Sequence, residues 1–492
     1  MYQDVMIPKA EEQCSAFRRT IEAGWLAACA ATLVYAGTLA VLSPRFSGSD
    51  VAAMPVATLV TLMTITGCIF ALCLPPLIRR SQALPRSKVS TLFELVLVTG
   101  VIARLVMFAS VPILENDFQR YLWDGAVSAH GYNPYALSPA TVIGAAPAGP
   151  LADVAQNATT TLREIGHRGL TTIYPPVAQA AFAIAHILAP WSLTAWRGLL
   201  LVCDLAIAAL LVTLLDDAKR CRLWIALYWL NPIVLKEAFN SGHMEPLLMA
   251  FVLFAIYLGW RRRPQMASVA LGLAAGIKLW PALVVPVVLH STTVTKRAFI
   301  YGVLIAASMQ TVWLLALFSA APGETPGLLA YAENWQTNSA LQPALQAVLA
   351  AIASLDATAA GAASRFLLAG GAVVLALFLA RTPWVNLAEL TTRAGILITG
   401  LLLLSPAQYP WYAIWAFALL PFFPVRTLLV LTVTLPLYNL LFYFAARDLS
   451  DTFSSVVVWI IWVPVWIAAL VDVRFPAPDP NIVRPQPELI GT

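Results

Sequence analysis

Runs of about 20 apolar residues alternate with short polar islands along this chain, and that alternation predicts helices that cross a membrane. The clearest runs are 23–44, 53–79, 92–114, 195–215, 245–260, 298–320, 366–380, 427–445 and 454–472. Shorter apolar pieces lie at 173–190, 222–237, 266–277, 279–290, 341–355, 394–406 and 410–424. In lipid each backbone N–H and C=O must be satisfied within its own segment, which a helix does and an open strand does not. The pattern therefore predicts an all-α polytopic membrane protein, with roughly 12–14 transmembrane helices.

Basic clusters orient the spans. RRSQALPRSK (79–88), DDAKRCR (216–222), RRRPQ (261–265), TKR (295–297) and RTP…TTR (381–393) mark cytoplasmic loops. With these five inside, segments 115–194, 240–245 and 321–365 face outward. That parity requires a break within 266–290, near IKLWP, making a hairpin of short helices with Lys278 at its tip. It also lays 173–190 and 341–355 in or along the outer leaflet. The organisation predicted is one integral-membrane domain over 1–472, with a long first outer loop (115–194) containing membrane-parallel helices and a second outer loop (321–365). The Pro-rich stretch 473–492 reads as a disordered cytoplasmic tail.

Composition supports the membrane reading. The chain of 492 residues is 60% hydrophobic and 11% charged, where soluble domains carry about 25% charge. An excess of 30 Lys+Arg over 25 Asp+Glu is what basic loops produce, and it indicates no nucleic-acid partner. The six cysteines show no disulfide or zinc spacing. The chain contains no HExxH, GxSxG, Walker A or strand-to-helix GxGxxG motif, which leaves metalloprotease, ATPase and Rossmann nucleotide chemistry unsupported.

The polar islands carry the candidate chemistry. ENDFQRYLWDGAVSAHGYNPYALSP (115–139) follows the third run. One reading is a surface helix capped by Asp117, with Arg120 and Asp124 paired four residues apart and the aromatics in the membrane interface. The other sets Glu115 and Asp117 in a cavity, one of them as a general base for a hydroxyl, with cations opposite to hold a departing phosphate. NPIVLKEAFNSGHMEP (231–246) places Lys236, Asn240 and His243 on one helix face by spacing, followed by Glu245. Lys278 in GIKLWPA and Arg104 in the third run are ionisable groups at membrane depth, where such groups line cavities or have partners. TIYPPVAQ (172–179) contains Tyr174, YAENWQTNS (331–339) contains Asn338, and SPAQYPWYAIW (405–415) contains Tyr412.

Taken in order, these islands resemble the GT-C class of polyprenyl-phosphate-sugar-dependent membrane glycosyltransferases, and among them the bacterial mannosyltransferase-like members. The resemblance covers about 100–415. It implies a GT-C helical bundle whose first outer loop carries the catalytic carboxylate, matched here by Asp117 or Glu115. It also implies a donor phosphate or substrate site, to which Arg120, Arg104, His243, Glu245, Lys278, Asp124, Tyr174, Asn338 and Tyr412 are assigned. The partners implied are a polyprenyl-phosphate-linked hexose, mannose favoured, and a glycan, glycolipid or protein acceptor among membrane lipids. The expected location is a bacterial inner membrane with the site facing the periplasm. No nucleotide cofactor is expected, and a divalent metal (Mg or Mn) would fall to Glu115 and Asp117. Glu245 stands where the class is associated with Asp. A secondary transporter or another lipid-carrier-dependent transferase is the alternative; the first would be built from two pseudo-symmetric halves.

Overall fold

The computed structural model describes residues 6–48, 50–145, 149 and 151–475; the expectation for the tail beyond 475 lies outside the described residues. Within them the chain is helical, with no strand and three isolated bridges between extended stretches.

Nine described helices are long and apolar enough to cross a membrane: Ser15–Phe46, Val56–Ser81, Arg86–Phe108, Leu193–Asp217, Lys296–Leu317, Ala357–Leu379, Leu387–Leu404, Arg426–Ala445 and Ser450–Arg474. Pro232–Asn240 and Glu245–Trp260 qualify only as a pair, bent by 119° at the break, and count as a tenth only where the two are taken as one span. This is fewer than the twelve to fourteen expected, and the reason is length. The remaining apolar pieces include the short helices Pro176–Leu188, Pro264–Ala275, Trp280–Leu289 and Leu341–Ala353. At 1.5 Å per residue, thirteen residues reach about 20 Å, short of a hydrocarbon core of about 30 Å. Lys278 does fall in the break between the second and third of these. Outward side chains on the long helices are apolar, with Val41 82%, Leu72 74% and Leu470 71% exposed, a surface suited to lipid.

One pair of opposite charges is matched deep inside the bundle. Arg104 and Asp204, both fully buried, form an ion pair between the Arg86–Phe108 and Leu193–Asp217 helices. Arg104 also donates to the carbonyls of Gly100 (3.0 Å) and Trp229 (2.8 Å) and lies 3.5 Å from the Trp229 ring centroid. The Tyr228 hydroxyl donates to Asp204 at 2.5 Å.

The third helix stops at Phe108, earlier than the apolar run 92–114 suggests, and the chain continues irregularly to the helix Asp117–Ala129. Two side chains satisfy this irregular backbone. Asn240 accepts from Ile113 N (3.0 Å) and donates to the Val111 carbonyl and Ser110 Oγ (2.8 Å each). Arg197 donates to the Ser110 carbonyl at 2.9 Å and to the Asn240 carbonyl. Leu114 then adopts φ 66°, a left-handed conformation that is costly for a branched residue and persists where its surroundings enforce it.

Outside the bundle, the 115–194 loop builds a small core of its own. Trp123, Ala126 and Val127 pack with Val142, Leu151, Val154, Leu162 and Ile165. The Asp117–Ala129 helix is thus covered by loop, not spread on the membrane surface. Its other side rests on Pro176–Leu188 at Gly125, where a Cβ would come within 2.5 Å of the Phe182 carbonyl oxygen.

Replacing Asn240 with Ala orphans the Ile113 N–H and the Val111 carbonyl together. At about 1–3 kcal/mol per unsatisfied buried group, the purified variant is expected to unfold several degrees below wild type in a detergent thermal melt, whereas Asn157→Ala in the 115–194 loop should melt like wild type.

Candidate active site

The turn at Leu114 delivers Glu115 and Asp117 to the wall of a cavity of about 1420 Å³, where Arg120, Tyr174, Lys278 and Tyr412 also lie. Asp117 does not cap its helix. Asn116 occupies the cap position without a side-chain cap bond, and its amide donates instead to the Glu164 carbonyl at 2.6 Å. Asp117 is therefore the first residue of the helix, its carboxylate 38% exposed and 3.8 Å from His243 Nδ1.

The joint that carries His243 is shaped locally. A wide π-helical turn over Leu235–Asn240 ends the first half of the broken pair. Gly242 takes φ +76°, which glycine alone adopts readily, and its carbonyl accepts from Trp196 Nε1 at 2.6 Å. His243 N then donates to the Glu237 carbonyl at 3.1 Å. This geometry separates residues that helical spacing had put on one face: Asn240 turns to the 110–113 backbone, while His243 lies beyond the helix end. The imidazole is fully buried, 3.7 Å from Glu237 and 3.8 Å from Asp117, with neither ring nitrogen hydrogen-bonded. Glu237 pairs with Lys236 at 3.2 Å.

The PAQYPWYAIW island does not form a lipid-facing aromatic belt. Trp411, Tyr412 and Trp415 are buried and make two stacks. Trp411 lies between the His243 ring (3.8 Å between centroids) and the Tyr409 ring (4.4 Å). Tyr412 stacks on Trp415 at 4.4 Å, and the Lys278 ammonium lies 4.2 Å from the Tyr412 ring centroid. Lys278 also forms an ion pair with the fully buried Glu245. One short segment thus positions both the imidazole behind Asp117 and the ammonium in the cavity wall.

Electrostatics separate the two carboxylates. Burial pushes Asp117 up to about 6; Lys278 and Arg120 oppose the shift and Glu245 adds to it. Glu115 is driven well above the usual carboxylate range, first by burial and then by Asp117 and Glu237, against the opposing charge of Lys236. Asp117 is therefore a carboxylate poised to take a proton near neutral pH, while Glu115 is held as the neutral acid.

The other expected site residues are distributed unevenly. Arg120 faces the cavity, but its guanidinium is tied to the carbonyls of His167 (3.1 Å) and Leu170 (3.0 Å). Asp124 is buried behind it, accepting from Thr172 at 2.5 Å and Gln179 at 3.2 Å, and so fastens the TIYPPVAQ stretch that presents Tyr174. Asn338 is buried away from the cavity, its amide donating to the Gln408 carbonyl at 3.0 Å. Arg104 lies inside the bundle in its pair with Asp204. Neither is a lining residue. Tyr331 and Arg365 line the cavity and escaped the sequence reading. Arg365 escaped because the apolar run drawn from 366 leaves it at the margin, whereas the helix begins at Ala357. Among the described residues no group of three or more His, Cys, Asp and Glu is placed to hold a metal ion.

Residues 172–406, just under half of the chain, match the family model described as glycosyltransferase family 87. The matched stretch includes Tyr174, His243, Glu245 and Lys278 and begins after Glu115 and Asp117. No curated protein and no solved structure matches the chain. The family match indicates a glycosyltransferase, and the all-helical architecture, with nine candidate spans among the described residues, agrees with the GT-C resemblance.

Lys278→Met leaves Glu245 charged and alone in the interior, an arrangement that costs about 3–5 kcal/mol. A clear drop in the thermal midpoint of the detergent-purified protein is expected. Adding Glu245→Gln, which removes the orphaned charge, should recover most of it.

Proposed function

We propose that this membrane glycosyltransferase moves a hexose, mannose favoured, from a polyprenyl-phosphate carrier to a hydroxyl acceptor at the outer face of a bacterial inner membrane. The observation that carries the reading is Asp117 itself: a carboxylate with no capping duty, open to a large cavity, raised to about 6 and flanked on the cavity wall by the cations Arg120 and Lys278. In the proposed step Asp117 takes the proton of the acceptor hydroxyl as its oxygen attacks the anomeric carbon. The bond from that carbon to the phosphate oxygen breaks, the phosphate leaves with the electron pair, and the anomeric centre inverts. His243 packs behind Asp117 with its Nδ1 3.8 Å away, and burial favours the neutral form of Glu115, which can donate a hydrogen bond to substrate. The aromatic wall of Tyr174, Tyr331, Tyr409 and Tyr412 suits a sugar ring, whose C–H face packs on aromatics while its hydroxyls find partners.

Loss of a positioned general base typically costs about 10²–10⁴ in rate. Transfer of labelled mannose from polyprenyl-phosphate mannose to a crude lipid acceptor should therefore fall by that range in Asp117→Asn, and by less than about tenfold in Glu115→Gln, which keeps a neutral hydrogen-bond donor. Undiminished transfer in Asp117→Asn would overturn the assignment.

The pH dependence follows from the same group. The base works ionised, so kcat/KM is expected to be level above about pH 6 and to fall about tenfold per unit below it. A profile with no acid limb near that value would point to another base.

A further inference from the structure

The cations of the cavity wall differ in how much of their charge is already matched. Lys278 is paired with Glu245. Arg120 is bound to two carbonyls and lies 3.9 Å from Asp124. Arg365 has no ion pair, hydrogen bond or ring contact among the described residues, and its Nε is buried without a partner. It stands on the membrane-spanning helix Ala357–Leu379, about 12 Å along from the first residue. An unpaired guanidinium at such depth is unfavourable unless an anion completes it.

The surroundings of Arg365 indicate what kind of anion fits. Its helix lines the cavity from Ala357 to Ala372, through the small residues Gly361, Ala362 and Ala369 and through Phe366 and Leu368, over about 22 Å. Apart from Thr358 and Arg365 this lining is apolar, and Leu401 and Leu404 from the neighbouring helix extend it. A Cβ on Gly361 would lie 3.6 Å from Arg365 Nη1, so the guanidinium lies over this lining. The same cavity continues to Asp117.

We infer that Arg365 is the seat of a lipid-linked phosphate, the apolar chain of a prenyl phosphate lying along the cavity-lining face of Ala357–Leu379. Two unbridged phosphate oxygens match the planar fork of a guanidinium, and the apolar lining beside it suits a hydrocarbon chain. This inference rests on the lipid-phosphate donor of the proposed function and assigns its anchoring cation to Arg365, in preference to Lys278, whose charge Glu245 already neutralises.

The test is binding, not transfer. Undecaprenyl phosphate, undecaprenol and dioleoyl-phosphatidylglycerol are titrated onto detergent-purified wild type, Arg365→Gln and Arg365→Lys, with bound lipid counted by native mass spectrometry and folding checked by thermal melt. The expected result is that Arg365→Gln weakens undecaprenyl phosphate by about tenfold or more, as loss of a charge-assisted hydrogen bond does, and leaves undecaprenol unchanged. Arg365→Lys, which keeps the charge without the fork, should fall between; it decides the question if the Gln variant fails to fold. Equal phosphate affinity in wild type and the folded variants overturns the seat, as does equal displacement by phosphatidylglycerol, which would make it a site for bilayer phospholipid. Arg365-dependent binding in a wild type that transfers no sugar would sink the glycosyl-transfer reading and leave the seat standing; Asp117-dependent transfer with Arg365-independent binding would do the reverse.

Discussion

Irregular backbone beside a membrane-spanning helix needs partners for its N–H and C=O groups, and between Phe108 and Asp117, Asn240 and Arg197 supply them to Ser110, Val111 and Ile113, with Ser43 accepting from Val111 N. The two side chains do more than satisfy hydrogen bonds. They tie the end of the Arg86–Phe108 helix to the bend between Pro232–Asn240 and Glu245–Trp260. Glu115 and Asp117 come from one side of that tie and His243 from the other. The site is thus assembled where two breaks in helical structure satisfy each other.

The ionisable groups of the interior fall into two kinds. Arg104 with Asp204 and Lys236 with Glu237 are closed pairs, buried on both sides. Such pairs gain little net stability over apolar packing but are costly to break singly; Arg104 with Asp204 thereby ties the Arg86–Phe108 and Leu193–Asp217 helices together. Asp117 and Arg365 are open, each facing the cavity with charge or hydrogen-bonding capacity unused inside the protein. The aromatic stacks bridge the two kinds. Trp411 supports the imidazole behind Asp117, and Tyr412 with Trp415 supports the ammonium of the Lys278–Glu245 pair. A segment with no charge of its own thereby determines where the charged groups point.

Much of the fold was legible in the chain because membrane insertion depends on local apolar length. Helices such as Val56–Ser81 and Leu193–Asp217 appear close to where their apolar runs lie. The break at Lys278 was also readable, since the basic clusters on either side of 266–290 called for an even number of segments between them. What composition could not separate was a short apolar helix from a crossing one: Pro176–Leu188 and Leu341–Ala353 are as apolar as true spans but too short. The candidate site divided along similar lines. Asp117, Glu115, Lys278 and His243 stood out as charge or imidazole in apolar surroundings. Arg104 stood out by the same signal and proved to be half of a closed pair, because a lone charge in a hydrophobic run does not reveal whether its partner is a protein group.

By itself the sequence determined that this chain is a bundle of membrane helices, with its polar chemistry gathered in a few islands, because apolar length and charge placement act locally on each segment. Only the tertiary structure decided which island residues meet. Asp117 faces a cavity instead of capping its helix because Asn116 takes the cap position and the Leu114 turn redirects the chain. Asn240 serves the backbone because the π-helical turn and Gly242 break the face it would have shared with His243. Partners more than a hundred residues apart, such as Arg104 with the Trp229 carbonyl or Asn240 with Ile113, set which charges are consumed and which stay open. That allocation depends on distance and burial in three dimensions, which spacing along one chain does not contain.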